Sequence, residues 1–444
     1  MSELDQITLT SLAARISELT GTITKHLKEK KLEAPTFAAN SPLKFPVIEG
    51  DLFVQRQVLL DAINDLHTLI QGPSESVFNY VHTAAPDISC LNVLNFFDFW
   101  SAVPLDPSSS ASFAEISQHV HLPLEVTTRI LQHAFTLRLF AETHPGKLST
   151  RVIHTSRSAA LATSPGLRGL VQAVGDDASA PTIVLNEALN RYSKDKQQLP
   201  EKQEETAFAL LHSGALYQGH ERYFDFQESE GGWRTRSYTR FMKYLKEIFG
   251  LEELVVGVLD WEGVGEARVV DVGGSAGHDA VVLASKFPNL SVTVQDLPHV
   301  ESEFNATVPE ELKSRVTFHA HSFLTPQPPL NASIYLFKMI LHDTSDADAI
   351  LIFRALIPAL KPGARVVLLE YIGNRGETET ALPLTMRQWG TAVDIRLMAL
   401  MNGRERMVGE WGELFKRTDE RFEVSGVRVG EGGFFVTVEA VWRG

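Results

Sequence analysis

Apolar residues recur at three- and four-residue spacings through the first part of the chain. They occupy Leu9, Leu12, Ile16, Leu19 and Ile23 within residues 8–31, and Leu59, Leu60, Ile63, Leu66 and Ile70 within residues 51–71. This spacing predicts two amphipathic helices, the first of which is ended by the sequence "APTF". Because both helices precede every candidate catalytic motif, we expect their apolar faces to be covered by the same chain or by a second copy of it.

Residues 91–155 show short amphipathic segments separated by turns. Three predicted helices, "LNVLNFFDFWSAVP", "SFAEISQHV" and "PLEVTTRILQHAFTLRLF", are followed by "AETHPGKLSTRVIHT", which predicts a small hairpin. Three helices and a hairpin are the pattern of a winged-helix module. The third helix and the hairpin are not densely basic, so this pattern favours packing and dimerisation over DNA binding.

The rest of the chain changes character twice. Residues 175–235 are polar and uneven, and we interpret them as a linker with helices that contribute to a substrate wall. From Tyr238 onward, strand and helix patterns alternate, which predicts a parallel sheet covered by helices. Two strands near the end, 422–429 and 434–442, predict an antiparallel hairpin.

Composition narrows the class of protein. The chain has 444 residues, of which 44% are hydrophobic and 22% charged, as in an ordinary globular protein. A net charge of −14 disfavours nucleic acid or an anionic membrane as the main partner. Cys90 is the single cysteine and the fifteen histidines form no HExxH motif, so we predict neither a disulfide nor a metal site. No signal-peptide pattern or membrane-length apolar run is present, so we expect a cytoplasmic protein.

The segment "ARVVDVGGSAGHDAVVLASKFP" predicts a strand, a glycine turn and a helix. Such a turn lets a ligand approach the backbone closely at a helix N-terminus. The next predicted strand, "LSVTVQDLP", ends at Asp296, whose carboxylate can accept hydrogen bonds from both hydroxyls of a ribose. The spacing Asp271-x-Gly273-x-x-x-Gly277 differs from a dinucleotide fingerprint, and an acidic rim would repel a pyrophosphate. The turn therefore favours a ligand with a cationic end, such as S-adenosylmethionine, over NAD.

His342 follows the predicted strand "ASIYLFKMIL", and Glu370 ends the next strand, "ARVVLLE". Ligands of open α/β sheets bind outside the carboxyl ends of the strands, which places both side chains on the functional edge. A carboxylate beside an imidazole fixes its tautomer and stabilises its protonated form. We therefore expect His342 to act as a general base near neutral pH. The alternative is a structural histidine.

These motifs in combination resemble those of the caffeate-type, S-adenosylmethionine-dependent small-molecule O-methyltransferases, most closely their fungal secondary-metabolism branch. The resemblance covers nearly the whole chain and rests on "VVDVGGSAGH", "VQDLP", "KMILHD", "LIPALKPGARVVLLE" and "NGRERM". It implies an α/β fold with a seven-stranded Rossmann-like methyltransferase domain at 236–444. A helical dimerisation region at 1–90, a winged-helix-like module at 91–175 and linker and wall helices at 176–235 would precede that domain.

The resemblance also implies residue roles. The turn at Gly273 would hold the methionine end of the cofactor, Asp296 its ribose, and Ser322 and Phe323 its adenine, with Lys338 nearby. The implied cofactor-binding residues are Asp271, Gly273, Gly274, Gly277, Asp296, Leu297, Ser322, Phe323 and Lys338.

For catalysis, the resemblance implies that His342 deprotonates a substrate hydroxyl and that Glu370 and Glu405 bracket its ring. Asp343 and Asp394 would lie close to the substrate. Members of this family are usually homodimers whose N-terminal helices interlock and help to close the partner's site.

The chain departs from the family pattern at three positions. Ser322 stands where the family commonly has an aspartate. Thr344 stands where the family commonly has a tryptophan after the His-Asp pair, and Ser275 stands where the usual turn has its third glycine. These departures leave two further functions open. One is a pericyclase or dehydratase that binds S-adenosylmethionine without transferring its methyl group. The other is a non-enzymatic regulator that binds a partner through the winged helix.

A substrate wall is predicted from apolar and aromatic residues, namely Phe241, Met242, Met386, Trp389 and Met398. Such a wall suits a flat, lipophilic aromatic or polyketide molecule. Ordinary core packing is the alternative for each of these side chains.

Overall fold

The computed structural model describes residues 6–46, 48, 50–196, 200–213, 219–249, 251–371, 382–429 and 435–444. The chain divides into two compact units. Unit 1 consists of Met1–Ser179, Gln227–Tyr244 and Pro383–Met386, and unit 2 of Ala180–Phe226, Leu245–Leu382 and Arg387–Gly444.

The chain up to residue 177 is mainly helical, with one small antiparallel hairpin formed by β1 and β2. Its elements are α1 (Leu9–Glu29), α2 (Asp51–Phe96), α3 (Phe99–Ala102), α4 (Phe113–Val120), α5 (Leu124–Thr136), β1 (Phe140–Glu142), β2 (Val152–His154), α6 (Ser156–Thr163), α7 (Pro165–Leu170) and a π-helix (Val171–Asp177). Their common core contains Trp100 and Phe140, whose rings stack with centroids 5.5 Å apart.

Helix α2 is longer than its apolar pattern predicts. It is kinked at Gly72, where φ is 73°, and continues through Pro73 to Phe96. A proline fits the first turn of a helix because its missing N–H would have no partner there. The predicted helix over 51–71 therefore matches the first of two helices that meet at this kink, and the second helix continues to Phe96.

The remaining chain alternates between helices and strands. Its helices are α8 (Ser179–Ile183), α9 (Leu185–Tyr192), α10 (Ala207–His212), α11 (Tyr223–Phe249), α12 (Leu251–Leu254), α13 (Trp261–Val264), α14 (His278–Lys286), α15 (Glu301–Thr307), α16 (Asp346–Leu356), α17 (Leu384–Met401) and α18 (Val408–Thr418). Its strands are β3 (Ala267–Val272), β4 (Leu290–Asp296), β5 (Val316–Ala320), β6 (Ile334–Lys338), β7 (Arg365–Tyr371), β8 (Phe422–Val429) and β9 (Phe435–Trp442).

The seven strands β3–β9 form one sheet in the order β5-β4-β3-β6-β7-β9-β8. Strands β3 to β7 are parallel, while β9 runs antiparallel to both β7 and β8. The predicted α/β class, the largely parallel sheet and the terminal hairpin are confirmed, although Phe434 of the predicted last strand lies outside the described residues.

Both faces of the sheet are covered, which explains why its central strands read as continuous apolar runs. On one face, Val270 and Val272 of β3 join a core with Phe353 of α16 and Phe415 of α18. On the other face, Val269 packs with residues of α14. None of the helices in the described ranges has the length and apolarity of a membrane span.

We expect Phe353→Ala to destabilise unit 2 by about 3–5 kcal/mol, because it removes a fully buried ring. That ring stacks on Phe415 with centroids 4.6 Å apart and touches the ring of Phe422. Urea denaturation followed by circular dichroism measures the loss. The matched control is Leu351→Ala on the same helix, which is 52% exposed and should change stability by no more than about 0.5 kcal/mol. Equal losses in the two variants would contradict this account of the core.

Candidate active site

The glycine turn between β3 and α14 is held by close packing of the protein on itself. Gly273 has a φ of 75°, Ser275 of 52° and Gly277 of 80°, so the backbone passes three times through the left-handed region. A Cβ added to Gly273 would lie 2.6 Å from Cδ1 of Ile340. A Cβ added to Gly274 would lie 2.4 Å from Oδ2 of Asp271, and a Cβ added to Gly277 would lie 2.9 Å from the ring of Phe304. The turn therefore tolerates no side chain at these positions, and Ser275 adopts the one strained non-glycine conformation within it.

Asp271 lies beneath this turn. Its side chain is only 2% exposed, and Oδ2 has no hydrogen-bond partner among the described residues. Burial, reinforced by the charge of Asp279, raises the pKa of Asp271 to about 7. The prediction of a carboxylate at the rim of the turn was therefore wrong in its position, because the strand carries Asp271 into the interior. A buried carboxylate without a partner favours a cationic group as its neighbour.

Lys338, at the end of β6, belongs to a buried ion cluster. Its Nζ lies 2.5 Å from Oδ1 of Asp279 and also donates to the carbonyl of Leu251. Lys246 approaches Oδ2 of the same aspartate at 3.4 Å. Although burial alone would raise the pKa of Asp279, these two lysines lower it. Lys338 thus connects β6 to the first turn of α14, directly after the glycine turn.

Asp296 ends β4 and closes the turn from the other side. Its Oδ2 accepts a hydrogen bond from the N–H of Ser275 at 2.8 Å, and its Oδ1 accepts one from the N–H of Leu297 at 2.7 Å. Burial raises the pKa of Asp296. Each oxygen retains a further lone pair, which a ribose hydroxyl can use.

The predicted adenine contacts follow β5 at the same edge of the sheet. Ser322 and Phe323 are both half-buried, and Phe323 packs against the core beneath the sheet. The hydroxyl of Ser322 accepts a long hydrogen bond of 3.4 Å from the N–H of Leu324. Leu297 is 39% exposed beside Asp296. Several candidate cofactor residues therefore lie at the carboxyl ends of β3, β4, β5 and β6.

His342 lies in a 3-10 turn that follows β6. Met339 leaves the strand with a φ of 54°, the turn comprises Leu341–Asp343, and Ser345 caps helix α16 through a bond from the N–H of Asp348. His342 itself is 9% exposed. The chain thus turns sharply at the end of β6 and holds the imidazole at the edge of the sheet.

The ring of His342 has a carboxylate near each nitrogen. Nδ1 lies 3.0 Å from Oε1 of Glu405 and donates to it, and Nε2 lies 3.6 Å from Oδ1 of Asp343. Asp394 fixes Glu405 in turn, because its Oδ1 accepts the backbone N–H of Glu405 at 2.8 Å. The structure therefore brings together His342, Glu405, Asp343 and Asp394.

Glu370, which is predicted to bracket the ring, makes its hydrogen bonds to the backbone beside His342. Its Oε1 accepts the backbone N–H groups of Leu341, at 2.9 Å, and Ile340, at 3.3 Å. The side chain is fully buried, and Oε2 has no partner among the described residues. Burial raises the pKa of Glu370 to about 7, although the nearby His342 opposes this shift. Glu370 consequently holds the turn that carries His342, and not the imidazole.

The protonation of His342 is set by opposing effects. Burial alone lowers the pKa of the ring, but the charges of Asp343, Glu405 and Glu370 outweigh it and raise the pKa to about 10. The surrounding carboxylates therefore favour the imidazolium form of the ring.

Within the segment 402–407, the sequence predicted a role for Glu405 alone. In the structure, further residues of this segment also contact the turn that carries His342. A Cβ on Gly403 would lie 2.4 Å from the carbonyl oxygen of His342, and the N–H of Arg404 donates to that oxygen at 2.8 Å. Arg406 is completely buried. The arginines that flank Glu405 in "NGRERM" were a visible signal, but only the fold distinguishes the half-buried Arg404 from the buried Arg406.

Tyr371 was also missed, although it directly follows Glu370 in β7. A Cβ on Gly390 of α17 would lie 2.0 Å from its hydroxyl oxygen, so this glycine makes room for the phenol. Burial, with a contribution from the charge of Glu405, raises the pKa of Tyr371 to about 12. Tyr371 therefore adds a neutral hydroxyl to the surroundings of Glu405.

The predicted wall residues are divided between the two units. Phe241, Met242 and Met386 belong to unit 1, where Phe241 and Met386 are buried as core residues and Met242 is half-buried. Trp389 and Met398 lie on α17 in unit 2, with Trp389 41% exposed. Core packing accounts for Phe241 and Met386, whereas Trp389 retains exposed aromatic surface.

The donors and acceptors at this edge fit a ligand with a cationic amino-acid end and a ribose. Asp271 offers a buried carboxylate oxygen, Asp296 offers lone pairs on both oxygens, and the glycine turn brings backbone close to them. Within the described ranges, no group of three or more His, Cys, Asp or Glu side chains is arranged to hold a metal ion.

Comparison with known proteins gives a consistent result. The O-methyltransferase domain family matches residues 224–419. The O-methyltransferase lcsG of Purpureocillium lilacinum is 37% identical over 99% of this chain and 94% of its own length. The O-methyltransferase AMT9 of Alternaria alternata is 32% identical over 98% of each chain.

Solved structures share the fold. OxaC in complex with S-adenosylhomocysteine and oxaline has a TM-score of 0.75 at 18% identity, covering 98% of this chain and 99% of that one. LepI in complex with S-adenosylmethionine has a TM-score of 0.67 at 20% identity, covering 88% of this chain and 94% of that one. Together with the site's donors and the relatives' near-complete coverage, these findings show that the chain belongs to the fungal S-adenosylmethionine-dependent O-methyltransferase family, whose cofactor is S-adenosylmethionine.

Proposed function

We propose that the protein methylates a hydroxyl group of an aromatic or polyketide-type secondary metabolite, with His342 as the general base. The observation that carries this proposal is the buried hydrogen bond between Nδ1 of His342 and Oε1 of Glu405, 3.0 Å long. His342 follows β6 at the same edge of the sheet as the glycine turn. The 41% exposed aromatic side chain of Trp389 supports a flat, lipophilic substrate.

The cofactor would be held by the turn Gly273–Gly277, with Asp271 beneath its cationic end and Asp296 on its ribose. Leu297, Ser322 and Phe323 would line the adenine. Lys338 would act indirectly, since its ammonium is engaged by Asp279. When bound, S-adenosylmethionine supplies an electrophilic methyl group on a sulfonium.

The chain's own residues would then prepare the substrate oxygen. Nε2 of His342 takes the proton of the hydroxyl, while Glu405 holds Nδ1–H and stabilises the imidazolium that forms. Asp394 orients Glu405, and Glu370 fixes the backbone of the turn. Fixing both reactants in one geometry supplies much of the rate enhancement.

A base must first lose its own proton. The pKa of His342 is raised to about 10 because three carboxylates outweigh the effect of burial. A cation bound at the same edge disfavours the imidazolium and so lowers this pKa. We accordingly expect the rate of methyl transfer to increase as the pH rises through the His342 pKa of the loaded enzyme.

A pericyclase or dehydratase that keeps its cofactor intact is the second candidate function. The raised pKa of His342 favours it, because an imidazolium can donate a hydrogen bond to a substrate oxygen without accepting a proton. Methyl transfer remains our first choice, since Glu405 holds the ring in the orientation that a base requires.

We expect Asp296→Ala to weaken the binding of S-adenosylmethionine at least about tenfold, because two charge-assisted contacts that order the turn and the ribose site are lost. Isothermal titration calorimetry measures this affinity. Asp260→Ala is the matched control, since Asp260 also accepts a backbone N–H, that of Gly263 at 3.0 Å, at the start of α13. Unchanged affinity in Asp296→Ala would refute the cofactor assignment.

His342→Ala should abolish methyl transfer, a loss of about 10²–10⁴-fold, while cofactor affinity stays near the wild-type value. The assay supplies a panel of phenolic polyketides and measures methylated product and S-adenosylhomocysteine by mass spectrometry. Methylation that persists in His342→Ala would disprove the role of the base. Product formed by the wild type without an equivalent of S-adenosylhomocysteine, and also formed with sinefungin, would establish the second candidate function instead.

We also propose a homodimer built from the helical region 1–90, next to a winged-helix-like module at 91–175 that serves packing. Helix α2 exposes several large apolar side chains after its kink, namely Val77, Phe78, Tyr80 and Val81, each at least 61% exposed. A second copy covering this face would bury them.

Light scattering of the full chain should therefore give the mass of a dimer. The variant Val77→Glu/Val81→Glu should shift it toward the monomer, because two charges would enter the apolar contact. Glu75→Lys, an exposed charge change on the same helix, is the control. A monomeric wild-type protein would refute the proposal.

A further inference from the structure

Arg406 is a buried arginine to which neither the family resemblance nor the proposed mechanism assigns a role. Its side chain is 0% exposed, and it directly follows Glu405. Burying a guanidinium costs free energy unless its donors are satisfied. Its partners therefore indicate what this burial achieves.

All of its described hydrogen-bond partners belong to the turn that carries His342 or to the start of the following helix α16. Nη1 donates to the carbonyl of Leu341 and Nη2 to that of Thr344, each at 2.7 Å. Nε donates to Oδ1 of Asp346 at 3.0 Å. The two carbonyls flank the pair His342 and Asp343, so the planar fork of Arg406 spans the segment that carries the base.

The guanidinium is itself held in place. Its central carbon lies 5.0 Å from the centre of the Trp411 ring, and Trp411 is fully buried. Asp346 also receives Arg417 from the outside, at 3.0 Å. A lysine could not reproduce this arrangement, because its ammonium lacks the rigid fork of donors.

The turn is fixed from its opposite side by Glu370. Leu341 donates its N–H to Glu370 at 2.9 Å, while its carbonyl accepts from Arg406. Both backbone groups of the residue before His342 are therefore engaged by two different parts of the fold. Little freedom remains in the backbone that aims the imidazole.

We propose that Arg406 is a positioning residue for His342, whose fork holds the turn Leu341–Thr344 so that the imidazole stays on Glu405. The inference rests on the proposed function, in which His342 is the base, and adds to it the residue that determines how the base is presented. Arg406 touches neither the ring nor a reacting atom, and so acts through the backbone.

The ionisation of His342 reports this positioning. The ring faces Asp343 from its own turn, Glu405 from segment 402–407 and Glu370 from β7, and their charges raise its pKa. Arg406 lies close to Glu370, and Arg396 of α17 acts on Asp343. If the turn loosens, the distances from the ring to its carboxylates increase and the pKa of His342 falls toward its ordinary value.

The test is an NMR titration of the full-length protein with ¹³C-labelled histidine, in which the His342 signal is assigned by its absence in His342→Gln. In Arg406→Lys, which keeps the positive charge, the pKa of His342 should fall by about one unit or more. Glu405→Gln provides the reference for a direct loss of the partner. Arg417→Ala, which removes the outer contact to Asp346, should leave the pKa unchanged.

An unchanged His342 pKa in Arg406→Lys, with only a lower melting temperature, would reduce Arg406 to a structural role and overturn the inference. If Arg406→Lys does not fold, Trp411→Phe decides, because it removes part of the ring that contacts the guanidinium without changing any charge near His342, and it should lower the pKa in the same direction. The failure of the proposed function is a separate result. Methylation that persists in His342→Ala would show that His342 is not the base. The effect of Arg406→Lys on the pKa of His342 would still be measurable in that case.

Discussion

The hydrogen bond between His342 and Glu405 is the interaction on which the rest of the site depends. It joins two side chains that are both buried, and a buried charge is tolerated only when a partner of opposite sign accompanies it. Asp343 and Glu370 add negative charge around the same ring. Such a cluster stabilises a positive charge, whether a proton on the imidazole or the cationic end of a bound ligand.

The same constraint shapes the cofactor side of the sheet. Oδ2 of Asp271 is buried without a hydrogen-bond partner among the described residues, whereas the neighbouring Asp279 is neutralised by Lys338 and Lys246. The two aspartates are eight positions apart and close in space, yet their pKa values are shifted in opposite directions. The pKa of Asp279 is lowered and that of Asp271 is raised, which leaves Asp271 as the oxygen that a cationic ligand would satisfy.

The protonation state of His342 would separate the two candidate functions. An unprotonated His342 accepts a proton and activates a hydroxyl as a nucleophile, whereas a protonated one donates a hydrogen bond and stabilises negative charge. The carboxylates favour the protonated form, and a bound cation opposes it. In the proposed mechanism, the charge of the ligand would therefore decide which chemistry the imidazole performs.

Local patterns in the sequence determined much of the fold. The spacing of apolar residues predicted α1 and the first segment of α2, and the order of strand, turn and helix predicted the parallel sheet and the edge where Asp296 and His342 lie. These features depend on residues close in sequence, so a linear pattern contains them. Only the tertiary structure decided that Glu405 holds the ring while Glu370 holds the backbone, that Asp271 is buried beneath its turn, and that Arg406 rather than Arg404 is enclosed. His342 and Glu405 are 63 positions apart, and contacts at that separation are set by how helices and strands pack, which no spacing along the chain records.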